Sequence, residues 1–252
     1  MEYDITLLIV LAIVGVLAGG INTIAAGGSN LTLPVLMLLG LPADVANGTN
    51  RVAVVLQCIV GIRGFNSHGR LDVPAIMPII IPTLIGGVLG AFAAALIPPV
   101  ALKPILLGTI ISMSLLILLR PGFVTPSPGT PVLSVSQSRM AWWGLFAAGV
   151  YGGFVQAGVG FILLAALGGV LRYDLVRANA LKIVCSLGFT VISLAVFVYF
   201  DQVRWVPGLI LAAGSMVGAW LCVKFAVNAS QSTIKWVLFV MTVCSCVAAL
   251  VF

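Results

Sequence analysis

The chain has 252 residues, 62% of them hydrophobic and 7% charged. Soluble domains carry about 25% charged residues, and a soluble fold of this length has too little interior to hide so much apolar surface. The net charge of +6 comes from scattered basic residues with no tract interleaved with aromatic side chains, which leaves nucleic acid without a binding surface.

Taken in chain order, apolar runs long enough for a bilayer core of about 30 Å predict helices over 5–26, 45–65, 73–97, 103–119, 139–157, 178–200, 205–227 and 233–252. Two shorter runs lie at 30–40 and 160–170. A helix of about 11 residues is only about 16 Å long and cannot cross alone, so each short helix must share depth with the helix before it. The pattern is that of an all-α polytopic membrane protein: eight long helices plus two short broken or re-entrant ones. The first run is not a removable signal, because spans follow it at once. Five cysteines, Cys58, Cys185, Cys222, Cys244 and Cys246, sit in apolar context without a C-x-x-C pair and read as small buried hydrophobes.

From Arg120 to Arg139 the chain reads RPGFVTPSPGTPVLSVSQSR. Pro121, Pro126, Pro128 and Pro131 make it an aqueous linker, 121–137, between an N-terminal unit (1–120) and a C-terminal unit (138–252). The two units repeat. A shift of 132 carries Ala46-Asn47 onto Ala178-Asn179, Gly28 onto Gly160, Gly86 onto Gly218 and Lys103 onto Lys235. If the short segments count as crossings, nine of the twelve basic residues (all but Arg51, Lys103 and Arg204) fall on one side. Positive residues favour the cytoplasm, which predicts inverted halves, a cytoplasmic linker and both termini outside.

Residues 19–34, GGINTIAAGGSNLTLP, place the most flexible and polar stretch of the first half inside an apolar chain. Irregular backbone at membrane depth is tolerated only where it is buried in protein or lines a cavity. Gly27-Gly28-Ser29-Asn30 is such a break, with Ser29 or Asn30 expected to cap the helix beyond. GGFVQAGVG at 152–160 repeats the idea, with Gln156 between the glycines and Gly158 and Gly160 after it. Broken helices of this kind build transporter sites. The expectation is that the two breaks sit together near the midplane, helix-start amides facing a shared anion, with Asn22 beside them. The spaced pairs Gly86 and Gly90, and Gly214 and Gly218, read instead as close helix packing.

The stretch GGINTIAAGGSNLTLPVLMLLGLPADVANGTNRV resembles the TauE/SafE sulfite-exporter family of membrane permeases. The glycine-rich break, the following proline, Leu39-Gly40-Leu41-Pro42 and the helix-opening Ala46-Asn47-Gly48-Thr49-Asn50 carry the resemblance. The second half follows it through Gly153, Gly158, Gly160 and Ala178-Asn179. The resemblance implies movement of a small sulfur-containing or organic anion such as sulfite, a sulfonate or sulfoacetate. Where the family has threonine-serine, this chain has Thr49-Asn50 and Leu181-Lys182.

Ionisable residues inside spans are functional candidates, because desolvation makes them costly. Arg51 shares a helix face with Asn47, near Asn50 and, two turns on, Gln57; Asn179 and Lys182 repeat the pairing in the second half. These groups are expected to converge on one anion, although snorkelling to the interface is the alternative for both cations. Asp44 and Asp174 read as helix-start charges, and His68 as a loop residue. No Ser-His-Asp order, paired carboxylates, phosphate loop or metal spacing occurs, so no enzyme activity, cofactor or metal is expected. The leading reading is a secondary carrier of a small anion, with a proton or sodium ion as possible coupling partner; the alternatives are a passive anion channel and, behind it, a membrane scaffold or enzyme.

Overall fold

The computed structural model describes residues 5–25, 27–119, 130–230, and positions 233, 234, 236, 237 and 240. Among these residues it forms α1 (Ile5–Ile24), α2 (Gly28–Leu38), α3 (Ala43–Ser67), α4 (Ile76–Leu96), α5 (Pro99–Leu119), α6 (Arg139–Phe154), α7 (Val159–Leu164), α8 (Leu175–Tyr199) and α9 (Trp205–Asn228). A π-helical stretch, Ala165–Val170, continues α7. α1, α3, α4 with its leading turn, α8 and α9 are each long and apolar enough to cross a bilayer. The chain is an all-α, multi-pass membrane protein. Most of the helix expected at 233–252, with Lys235, Cys244 and Cys246, and most of the linker, with Pro121, Pro126 and Pro128, lie outside the described residues, as does Arg120.

Most boundaries agree with the apolar runs, and the departures have local causes. α6 stops at Phe154 rather than 157, because Gln156 and Gly158 both take positive φ, 70° and 75°. No helix continues through that conformation, and for glutamine it is strained. α5 begins at Pro99 rather than 103, a first-turn position where proline's missing N–H costs nothing. The last part of the linker is docked rather than free. Ser134 and Gln137 form a reciprocal capping box, and the Leu133 amide donates to the Leu171 carbonyl at 3.0 Å.

α3 and α8 lie side by side and antiparallel. Gly61 of α3 faces Ile183 near the start of α8, while Gly48 faces Gln202 just past its end. α9 runs parallel to α3, with Gly208 against Val52 and Gly64 against Val223. Around this centre stand two hairpins. α2 folds back along α1, placing Gly28 against Ala18 and Leu36 beside Leu11. α7 folds back along α6, placing Val159 against Gly152 and Ala166 against Gly144. The hairpin tips enter from opposite ends. Adding 132 to both ends of α3 gives 175 and 199, the ends of α8.

Two seams of small residues hold the periphery. On one, Gly214 and Gly218 of α9 press on the backbone at Ala12 and Val16 of α1, and Gly19 of α1 presses on Ser215. On the other, Gly86 and Gly90 of α4 press on Phe146 and Val150 of α6, and Gly149 and Gly153 on Thr83 and Gly87. In lipid, where apolar burial drives nothing, such backbone contact supplies the packing energy.

Charge separates the ends. Arg63, Arg70, Arg139, Arg172, Arg177 and Lys224 lie at the end where α3 and α9 finish and α4, α6 and α8 begin, where the Tyr173 hydroxyl also donates to Asp72 at 3.4 Å. Lys103 and Arg204 lie at the other. Lys182, counted in the sequence with the loop charges, is in the interior of α8 instead, as Arg51 is in α3. Asp174 caps α8 by accepting from the amides of Val176 and Arg177 at 3.0 and 3.1 Å. Asp44 does not cap α3, whose cap position is Pro42; it accepts from Gln202 Nε2 at 3.4 Å. Asp174→Ala is expected to cost about 1 kcal/mol, read as a lowered unfolding midpoint in detergent.

Candidate functional site

Each hairpin tip exposes main-chain groups that have no helical partner, and in a membrane they need one. At the first tip, the Gly28 amide donates to Asn22 Oδ1 at 2.9 Å. A Cβ on Gly28 would collide with that same Asn22 side chain and with the Ala18 carbonyl, so glycine is required by the close approach. Ser29 and Asn30 do not cap α2. The cap position is Gly27, which makes no side-chain cap bond, and both polar residues lie buried within the first turn. Ser29 Oγ accepts from Asn50 Nδ2 at 3.1 Å, and Thr32 donates to Asn50 Oδ1 at 2.7 Å. Asn50 therefore fastens α3 to α2.

The carbonyl end of each tip is held by a cation from the other half. Lys182 on α8 donates from Nζ to the carbonyls of Asn22 at 2.9 Å, Thr23 at 3.3 Å and Ala25, and to Asn179 Oδ1 at 2.7 Å. Arg51 on α3 donates to the Gly152 carbonyl at 2.6 Å and the Gly153 carbonyl at 3.0 Å. It also donates to Gln156 Oε1 and, at 3.3 Å, to Asn47 Oδ1. Asn47 completes the second arrangement by donating to the Phe154 carbonyl at 2.8 Å. A positive group at a helix C-terminus satisfies orphan carbonyls and opposes the negative end of the dipole. Neither cation snorkels: Arg51 is 0% and Lys182 2% exposed.

Between the tips lies a cavity of about 20 Å³, room for about one water molecule. Its polar walls are Asn22, Gln57, Gln156, Lys182 and Ser186, with Gly160, Val159 and Cys58. Asn22 and Gln57 are joined at 3.4 Å, and Gln156 Oε1 also accepts from Thr190 at 3.0 Å.

Of the residues singled out from sequence, Asn22, Gln57, Gln156, Gly160 and Lys182 meet at this cavity. Gly27, Gly28, Ser29, Asn30, Asn47, Asn50, Arg51, Gly158 and Asn179 do not line it; those with hydrogen bonds above shape the tips. The expected convergence of Arg51 and Lys182 on one point gives way to one cation per tip, because each tip leaves its own carbonyls to satisfy. Sequence reasoning missed Thr32, Ser186, Thr190 and Ser193. The signal was present for the last three: with Lys182 they recur at helical spacing along one face of α8. His68 is an exposed loop residue, its ring nitrogen 2.8 Å from the Gly64 carbonyl. Cys58 and Cys185 are buried and Cys222 half-buried. Among the described residues no cluster has the ligands for a metal ion.

The family described as Sulfite exporter TauE/SafE matches residues 11–249. A protein of Haemophilus influenzae named "Probable membrane transporter protein" is 28% identical over 245 residues, spanning 96% of this chain and 94% of its own length. "Probable membrane transporter protein ORF9" of a Sinorhizobium species is 27% identical, over 94% of this chain and 90% of its own. "Probable membrane transporter protein YfcA" of Escherichia coli K12 is 25% identical, over 91% and 84%.

Proposed function

The chain belongs to the sulfite exporter TauE/SafE family, and from that premise we propose that it is a secondary transporter of a small anion, such as sulfite or an organosulfonate of the sulfoacetate kind. It is a transporter-family protein rather than an enzyme. The observation that carries the anion site is the cavity between the tips. It offers neutral amide and hydroxyl donors from Asn22, Gln57, Gln156 and Ser186, and one positive charge from Lys182. Neutral donors matter because a carrier must release its cargo, and a pocket built from cations alone would hold an anion too tightly. Arg51, Asn47, Asn50 and Asn179 act by holding the tips in place.

Units 1–120 and 138–252, joined by the 121–137 linker, are read as inverted duplicates. The antiparallel course of α3 and α8, the hairpins entering from opposite ends and the basic end common to the loops support that reading, with the basic end cytoplasmic. A space for one water cannot hold an oxyanion of four or more heavy atoms, so the tips must part for cargo to enter. That favours alternating access over a continuously open channel.

The test is flux of labelled sulfite and sulfoacetate into liposomes containing purified protein. Gln57→Leu keeps the side-chain size and removes the amide, and is expected to lower flux about tenfold or more, the equivalent of one hydrogen bond to a charged group. Wild-type vesicles no faster than empty ones for both anions would end the anion reading; unchanged flux in Gln57→Leu would move the site elsewhere.

A further inference from the structure

The two tips are held by different cations, and the difference is chemical. Arginine keeps its proton under all conditions proteins meet, whereas lysine can exchange its own. Only the lysine borders the cavity. Its ammonium sits among three main-chain carbonyls at the broken end of α1 and the Asn179 amide oxygen, four neutral acceptors for three N–H groups. Carbonyls at a broken helix end with a side-chain oxygen beside them form the donor set that holds a monovalent metal cation in carriers. Here the protein's own side chain occupies it.

Among the described residues no carboxylate balances that ammonium. The carboxylates among the described residues, Asp44, Asp72, Asp174 and Asp201, all lie at helix ends. From α3 the charged or titratable groups facing this region are Cys58, on the cavity wall, and Arg51, bound to the other tip. α1 brings its carbonyls, the Asn22 amide and Thr23, whose hydroxyl donates to Gly19 at 2.8 Å, none of them titratable. α6 brings Tyr151, whose hydroxyl donates to the Ala157 carbonyl at 2.7 Å. α8 itself adds Cys185, and the described parts of α4 and α7 add no titratable group.

We propose that Lys182 is a tethered coupling cation: its ammonium fills a monovalent-cation site at the end of α1, and the proton it carries enters and leaves with the anion in place of a sodium ion. In the closed protein Nζ carries its proton; as the empty cavity opens, an Nζ–H bond breaks and the proton goes to water, and water returns one to the Nζ lone pair as the anion arrives. Each cycle then moves one proton with one negative charge. The anion half of this statement rests on the function proposed above; the cation site does not.

The experiment uses the full-length protein in detergent. The unfolding temperature of wild type and Lys182→Ala is measured in sodium chloride and in choline chloride at equal ionic strength. Sodium should raise the temperature of Lys182→Ala by about 3 °C or more and leave wild type unmoved, since ligand binding to the folded state stabilises it by mass action. Sodium that does nothing for Lys182→Ala, or that stabilises wild type equally, overturns the cation site. If Lys182→Ala does not fold, the wild-type comparison with Lys182→Arg decides. Sulfoacetate added to weakly buffered wild type should draw protons from solution, and Lys182→Arg should draw none; equal or absent uptake overturns the proposal. Sodium rescue of Lys182→Ala together with no flux of either anion would leave the cation site standing and reject the anion reading alone.

Discussion

Replacing Arg51 with methionine is expected to cost about 2–5 kcal/mol of stability and to leave little folded protein in the membrane. The side chain is similar in reach and apolar, so packing changes little. What changes is the fate of the Gly152 and Gly153 carbonyls, which accept from the guanidinium at 2.6 and 3.0 Å. The Gly152 carbonyl loses that donor at about 1–3 kcal/mol, the Gly153 carbonyl keeps only the Ser193 hydroxyl at 3.3 Å, and Gln156 and Asn47 lose a donor as well. Removing a buried charge returns some desolvation energy, which is why the figure is not larger. Against a total stability of about 5–15 kcal/mol the loss is severe. Arg51→Lys should fall between, because an ammonium has three N–H groups on one atom where the guanidinium has five spread over a planar fork that reaches Gly152, Gly153, Gln156 and Asn47. Unfolding midpoints in detergent with expression level as a second readout give the order; methionine equal to wild type would mean that α6 ends without needing the guanidinium.

Valine at Gly86 or Gly218 is expected to be at least as damaging. Each glycine faces the backbone of the neighbouring helix, Phe146 for the first and Val16 for the second. A side chain there meets main-chain atoms, which cannot rotate away as a flexible side chain would, so the helices must separate along the seam. Overpacking costs about 1–3 kcal/mol even in cores that can adjust, and here the contact it destroys is the packing itself. Gly28→Val presses as closely on main chain, the Ala18 carbonyl, and also on the Asn22 side chain, which lines the cavity. The two classes should therefore part by readout. Gly86→Val and Gly218→Val lose folded protein, and Gly28→Val loses flux from the protein that remains. Well-folded Gly86→Val with wild-type flux would show the seam to be loose.

Hydropathy made most helices legible, since a run of apolar residues has one fate in a bilayer. The breaks were legible too, because glycine and asparagine have no reason to interrupt such a run unless backbone is exposed there. Helix ends were read less well. The stop at Phe154 depends on the positive φ of Gln156, which no propensity favours for glutamine. The polar stripe of Ser186, Thr190 and Ser193 was hidden because single hydroxyls in an apolar helix leave hydropathy high, and a serine or threonine can satisfy itself on a helix carbonyl. Ser193 does this with Phe189 at 2.7 Å. Least legible was the destination of the cations. Spacing put Arg51 and Lys182 on inward faces, but which carbonyls they meet depends on how the hairpin of one half leans on the central helix of the other.

That exchange of partners bears on how the chain is made. α1 finds its glycine seam on α9, and α4 finds its own on α6, so each half is completed by the other. At translation rates of about 5–20 residues per second, α1 enters the bilayer on the order of ten seconds before α9 exists. During that interval its small-residue face and the carbonyls of its broken end have only lipid, the translocon or the rest of the first half for company. A cell that expressed residues 1–120 alone would hold an inserted but unfinished object, a target for membrane quality control. Co-expressing the two halves as separate polypeptides should rescue it, because the missing surface is supplied by shape and not by the peptide bond that joins them.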